Sequence, residues 1–381
     1  MVGDDGGVGV PVSAIIGLLE RIAPRRVALD SDRERIGLAV GSPESRTERV
    51  MVALDPTPEA VAEAIGAGAG LLITHHPLIY RPLTAVRTDT PIGRVIAEAI
   101  AHQLAIYSAH TNLDVVEGGV SSILAERLGV TETEVLAPTE HERLLKLVVF
   151  VPETHAEAVR QALGDAGAGH LGHYSHCTFN VSGTGTFLPQ EGSRPYIGRP
   201  GTLERVAEVR IETILSEALL DQVLRAMRRV HPYEEIAYDL YPLRNEGTAI
   251  GLGRIGRLPE EQSLGRFVET VKKALGVERV VYVGEAGRPV RKVAVCGGSG
   301  GDLVLQAVFR GADVLVVGEA KYHDGLLARQ QGLAVVSAGH DATERLVVPV
   351  LAQRLRQESE RLGLEVEVLE HSSGEVLWQT V

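Results

Sequence analysis

Short apolar runs alternate with longer amphipathic segments at both ends of the chain. In the first part, residues 50–54 form an apolar run of strand length. Residues 57–66 carry helical apolar spacing with a glycine stop, and 71–74 form a second strand closed by Pro77. A helix over 91–104, a strand over 105–109 and a helix over 120–128 follow. The last third repeats the rhythm, with strands at 292–296, 314–317 and 333–337 and helices at 302–310 and 325–331. A long helix over 343–362 and a final strand near 366–369 complete it. Such alternation predicts βαβ units and an α/β fold: a pseudo-symmetric, mostly parallel sheet core of two halves, as one sheet or two facing sheets with right-handed crossovers.

The middle of the chain is patterned differently. Strands are predicted at 147–151, around 175–183, around 205–213 and at 236–243, with helices at 155–164 and 216–230. This β-α-β-β-α-β order is that of a ferredoxin-like α+β domain. The expected organisation is therefore an N-terminal half over 1–138, an inserted domain over 139–248 and a C-terminal half over 249–381.

Composition narrows the function. Of 381 residues, 44% are hydrophobic and 23% charged, ordinary values for a globular protein. A formal charge of −12 argues against coating nucleic acid but leaves room for a small anionic ligand in a local pocket. Two cysteines, Cys177 and Cys296, lie in different predicted segments and point to a reducing compartment. No run reaches the roughly 18 apolar residues of a membrane span, and the first ten residues lack the pattern of a signal peptide. A cytoplasmic protein without membrane contact is expected.

Three segments at predicted strand ends carry metal-binding chemistry. Thr74-His75-His76-Pro77 offers two imidazoles, which suit zinc, iron or manganese. Taken alone, the pair reads equally well as two loop histidines. Ser108 to Asp114 offers a carboxylate at Asp114, with Thr111 and Asn112 as hydrogen-bonding groups to order it; alone, it reads as an Asn/Asp turn. In Gly339-His340-Asp341-Ala342-Thr343-Glu344 the i, i+4 spacing puts His340 and Glu344 on one helix face, although Asp341 and Glu344 also resemble a capping box. Ligands in open α/β sheets gather at strand carboxyl ends. Three histidines and two carboxylates converging there form an inventory for two divalent ions about 3.5–4 Å apart.

The same residues carry a family resemblance. Ile73-Thr-His-His-Pro-Leu78, His110-Thr-Asn-Leu-Asp-Val115, Gly297-Gly-Ser-Gly-Gly301, Tyr322-His-Asp324 and Gly339 to Glu344 resemble the dinuclear-metal-centre, or NIF-three-like, family of type 2 GTP cyclohydrolase I homologues. Tyr174 to Phe179, Gly183 to Phe187 and His231-Pro-Tyr-Glu-Glu235 are similar to the PII/CutA-like insert of its longer members. The resemblance implies that His75, His76, Asp114, His340 and Glu344 bind two metal ions per chain, and that the chain assembles as a ring-like homo-hexamer. Where many members have Gly-Asp and Trp-Asp pairs, this chain has Gly318-Glu319 and Ser31-Asp32. Neither departure is expected to touch a ligand; each bears on the surroundings of the site.

Two functional classes follow. In the first, the chain is a metal-dependent hydrolase in which activated water attacks carbon or phosphorus of a nucleotide or other phosphate-bearing ligand, with His110 or His323 shuttling protons. In the second, it is a non-catalytic metal- or nucleotide-sensing scaffold with a regulatory insert. Other motifs rank lower. Gly251-x-Gly253-x-x-Gly256 mimics a dinucleotide fingerprint but is not followed by a helix. Gly297-x-Ser299-x-Gly301 mimics a nucleophile elbow, with Asp313 or Asp324 and His340 as partners, but a serine hydrolase would leave His75, His76 and Asp114 idle. The string His170, His173, His176 and Cys177 lies in predicted β structure, where its spacing does not converge on one face.

Overall fold

The computed structural model describes residues 9–371. These divide into two compact units, one running up to Glu140 and resuming at Ile250, the other spanning His141–Ala249.

The first unit holds two large sheets. In the five-stranded sheet the order is Glu367–Glu370, Arg49–Ala53, Leu71–Thr74, Ala105–Ser108 and Gly37–Val40. The first four run parallel to their neighbours, and Gly37–Val40 closes the edge antiparallel. Leu71–Thr74 is the middle strand, and all four of its residues are buried, as a strand covered on both faces requires. Alternation sorts its neighbours. Val50, Val52, Leu71, Ile73 and Tyr107 face the helices Val12–Ile22 and Val347–Leu362. Met51, Ala53, Leu72 and Ile106 face Pro58–Gly66 and Pro91–Ala101. Burial of each such Val, Leu or Ile contributes about 1.5–3 kcal/mol.

The six-stranded sheet runs Val281–Val283, Ala334–Ser337, Val314–Glu319, Pro289–Ser299, Ala249–Ser263 and Thr131–His141. Its central pairings are parallel, while Val281–Val283 and Ala249–Ser263 pair antiparallel with their neighbours. This sheet is thus mixed rather than mostly parallel. Gly251 to Gly256 lies inside one of these antiparallel strands, so it forms no phosphate-binding turn.

The helix expected over 343–362 is two helices, His340–Glu344 and Val347–Leu362. Thr343 Oγ1 donates back to the carbonyls of Gly339 and His340, a competition with the backbone that bends helices. The Val348 N–H bonds Arg345 O in a tightened turn. The first helix begins at His340 after Gly339, with no side-chain cap, so Asp341 is not its N-cap.

The second unit has element order Leu144–Pro152, Ala156–Asp165, Thr178–Phe187, Glu204–Ser216, Leu220–Val230 and Tyr238–Pro242. Its sheet is antiparallel throughout, in the order Tyr238–Pro242, Leu144–Pro152, Glu204–Ser216, Thr178–Phe187. Both helices pack on one face, against Leu145, Leu147, Val149, Val151, Ile211 and Leu215.

Candidate metal centre

Parallel pairing carries the backbone directly into the site. Val52 and Ala53 pair with Ile73 and Thr74, and the His75 and His76 N–H groups extend the ladder to the carbonyls of Ala53 and Leu54. Buried Thr74 donates its hydroxyl to His76 O at 2.7 Å, fixing the bend that presents both imidazoles. Each ring is then held from behind. His75 Nδ1 donates to Ala109 O at 2.9 Å, and His76 Nδ1 donates to Asp55 Oδ1 at 2.7 Å. His110 Nδ1 donates to Asp32 Oδ2 at 2.7 Å. In the neutral form of all three rings this leaves Nε2 as the nitrogen with a free lone pair.

Glu344 lies at the centre. Its Oε1 is 3.8 Å from His75 Nε2, and its Oε2 is 3.0 Å from His76 Nε2 and 3.1 Å from His340 Nε2. Asp114 Oδ1 is 3.6 Å from His75 Nε2. Yet His75 Nε2, Asp114 Oδ1 and Glu344 Oε2 are all buried without a well-aligned hydrogen bond. Donor atoms of His75, His76 and His110, and of His76, His340 and Glu344, form two groups close enough to hold a metal ion.

Glycine makes this approach possible. Gly298 has φ +63°, and a Cβ there would lie 2.0 Å from Glu344 Oε1 and 3.2 Å from His340 Nε2. Its N–H donates to Thr343 Oγ1 at 3.0 Å. The glycine-rich turn therefore serves to admit the Glu344 carboxylate.

The charges answer one another. Burial opposes protonation of His76, but the Asp55 and Glu344 carboxylates override it and push the ring up to about 10. Burial likewise opposes a charge on His75, which Asp114 and Glu344 nevertheless raise. Glu344 is driven well below the usual carboxylate range, against its burial, by His340, His75 and His76. Asp114 is raised by burial and by Glu344, only partly offset by His75. With no cation present, protons on the imidazoles balance the carboxylates; a divalent ion would supply that charge instead.

The structure thus brings together His75, His76, Asp114, His340 and Glu344, and adds His110, whose ring centroid lies 5.3 Å from that of His75 and 5.7 Å from that of His76. His323 belongs to neither group; it is exposed on the Tyr322–Gln330 helix, with its ring against Tyr322. Thr111 and Asn112 do not order Asp114. Thr111 Oγ1 donates to Asp32 and Asn112 Nδ2 to Ala23 O. Glu319, expected to stand clear of the ligands, has Oε2 3.4 Å from His340 Nδ1 and accepts the Ser299 hydroxyl at 3.2 Å. Ser299 therefore pairs with a carboxylate rather than an imidazole base. The acids nominated beside it hold backbone, Asp313 at Arg291 and Lys292 N and Asp324 at Lys321 N. Asp32, Asp55 and Glu319 escaped sequence reasoning as imidazole partners, being isolated acids with no spacing signal. His170, His173 and His176 form no metal group among the described residues; His176 faces Asp165.

A mixed α/β fold of several sheets, with histidine and carboxylate groups that could hold metal ions at its strand ends, defines the class. The chain belongs to the Duf34/NIF3 (NGG1p interacting factor 3) family, whose profile matches residues 10–374. It is 49% identical over 348 residues to a Halalkalibacterium halodurans protein named GTP cyclohydrolase 1 type 2 homolog, covering 91% of this chain and 92% of that one. A Bacillus subtilis protein of the same name is 46% identical over 328 residues, covering 86% and 87%. The crystal structure of a Bacillus cereus protein related to NIF3 superposes with a TM-score of 0.90 at 47% identity, covering 98% of this chain and all of that one. No helix among the described residues is long and apolar enough to cross a membrane.

Proposed function

We propose that the chain holds two divalent metal ions and is a metal-dependent hydrolase acting on a nucleotide or other phosphate-bearing ligand. The observation that carries this reading is the convergence of His75 Nε2, Asp114 Oδ1 and Glu344 Oε2, three buried polar atoms with no well-aligned hydrogen bond, in a cluster whose imidazoles are anchored through their other nitrogens. Anchoring Nδ1 on a carboxylate or carbonyl is the usual support of a metal-bound histidine. His75 and Asp114 would hold one ion, His76 and His340 the other, with Glu344 shared. Nitrogen and carboxylate donors of this kind suit zinc, iron or manganese. Bound there, a divalent pair lowers the pKa of water and polarises a phosphoryl or carbonyl oxygen.

The chain's own groups supply the rest. His110 keeps its proton at Nδ1 for Asp32, so its Nε2 is free to take a proton from a reacting group at the cluster. At the His340 end a cavity of about 340 Å³ is lined by Ser299, Asp302, Glu319, Lys321 and Asp324. The naming of the relatives as GTP cyclohydrolase 1 type 2 homologs supports a nucleotide substrate; a cytoplasmic setting and a homo-oligomer such as a hexamer belong to the same proposal. The element order of residues 141–249 supports an inserted ferredoxin-like, PII/CutA-like module.

The deciding experiment is anomalous diffraction at the zinc, iron and manganese edges, with turnover assays on a panel of nucleoside phosphates. Two peaks at the cluster and chelator-sensitive turnover are expected. Absence of metal overturns the centre. Metal-dependent nucleotide binding without turnover overturns the hydrolase in favour of a sensing scaffold.

A further inference from the structure

The helix-free face of the sheet in residues 141–249 carries a second built cavity. Its volume is about 420 Å³, within the range of small-molecule sites. Phe150, Phe187, Tyr196 and Tyr233 contribute aromatic walls, and Glu208 contributes a carboxylate. The rings touch one another: Phe187 and Tyr233 have centroids 5.8 Å apart, and Tyr196 and Tyr233 are 6.4 Å apart.

Glu208 is the anomaly. It is only 8% exposed, in the middle of the sheet opposite Gly183 and Pro152. Its one hydrogen bond among the described contacts is from the Tyr233 hydroxyl to Oε1, at 2.8 Å. Among the described residues, no Lys or Arg forms an ion pair with it. Arg210, two residues along the strand, pairs with Glu212 at 3.1 Å, as does Lys146. His231 is held neutral by burial, with its Nε2 donating to Phe150 O. Gly185 is shaped around the carboxylate, since a Cβ there would lie 2.0 Å from Oε2. The cavity is further lined by Glu234 and Glu235, and its described lining includes no Lys, Arg or His. Buried carboxylates are normally paired.

We propose that this cavity is a binding site for an organic cation, an ammonium or guanidinium group on a flat or aliphatic body. The cationic head sits at Glu208 Oε2, and the body lies against Tyr233, Tyr196 and Phe187, whose ring faces attract cations. A divalent metal is the wrong occupant, because the aromatic walls cannot supply its six or more oxygen ligands.

The test uses the full chain and ligand-observed saturation-transfer NMR with phenethylammonium, phenethylguanidinium and hexylammonium, beside 2-phenylethanol and phenylacetate. The cations should show saturable binding at least about tenfold tighter than the alcohol, and phenylacetate none. Glu208→Gln should remove that preference about tenfold or more while the melting temperature stays level or rises, since the variant relieves an unpaired buried charge. Tyr233→Phe should weaken binding less. Cation binding unchanged in Glu208→Gln overturns the site, as does failure of every cation to bind. If a second copy's Lys or Arg fills the cavity instead, the probes will not bind, and Glu208→Gln will lower the assembly state seen by light scattering. That result also overturns the proposal.

Discussion

His110 Nδ1 donates a 2.7 Å hydrogen bond to Asp32, a carboxylate 78 residues earlier in the chain and almost fully buried. Asp32 also accepts from Thr111 Oγ1 and from Arg35. The His110 and Thr111 contacts, with that of Arg35, outweigh burial and hold its carboxyl far below the usual range. It is therefore an anion that fixes the tautomer of His110. Asp32→Asn should leave the fold and the metal affinity intact but lower turnover about tenfold or more, because the tautomer of His110 that offers Nε2 to a proton is no longer held. Steady-state rates beside competition with a chromophoric chelator measure both. Unchanged turnover would show that His110 takes no proton in the reaction.

Glu344 lies within 3.8 Å of three imidazoles, whereas Asp114 approaches only His75. Glu344→Gln should therefore abolish binding of both ions, and Asp114→Asn of one, with native circular dichroism in each case. Metal analysis after gel filtration counts the ions. Equal stoichiometry in both variants would refute a shared carboxylate.

Ser299→Ala should retain wild-type turnover, and chelation should abolish it, because Ser299 donates to Glu319 and has no imidazole base. A chelator-insensitive activity lost with Ser299→Ala would instead identify a serine nucleophile.

Arg254 is 1% exposed and donates to the carbonyls of Val116, Gly251 and Gly253 and to Ser122 Oγ. It ties the Ala249–Ser263 strand to the segment that follows Asp114. Arg254→Met should cost about 3 kcal/mol, since it strands several buried carbonyls at once. Urea unfolding gives the value, and a loss below about 1 kcal/mol would show that water replaces the guanidinium.

His231 is pushed below its ordinary 6.5 by burial, with Nε2 donating to Phe150 O and Nδ1 accepting from Tyr233 N. The unfolded chain therefore takes up a proton at higher pH than the folded one. The stability of the neutral ring is present above about pH 6.5 and is lost as pH falls below it. The melting-temperature advantage of wild type over His231→Gln should shrink between pH 7.5 and pH 5; a constant difference would contradict the assignment.

The legible parts of the fold were those with strong local signals. Residues 71–74 and 105–109 read as strands because a doubly covered strand is apolar throughout, and the structure has Leu71–Thr74 and Ala105–Ser108. Gly37–Val40 escaped notice although it is apolar, because it is a short edge strand opened by a glycine, with three of its four residues only half-buried. The break at Arg345 and Leu346 arises from Thr343 hydrogen bonds that periodicity does not encode. His340 and Glu344 were readable from i, i+4 spacing, while the proximity of Asp55 to His76 comes from the parallel register of two strands, which no local pattern announces.

That the cluster draws on both ends of the chain has a consequence for biosynthesis. Glu344 follows Asp114 by about 230 residues, so at about 5–20 residues per second a ribosome needs roughly 10–50 s to supply it. For that interval the nascent chain carries His75, His76, His110 and Asp114 without the central carboxylate. If the cluster holds the two ions proposed, its shared site would be complete only after the last helices have emerged, so loading would be timed by the arrival of the C-terminal segment rather than by the first appearance of the histidines.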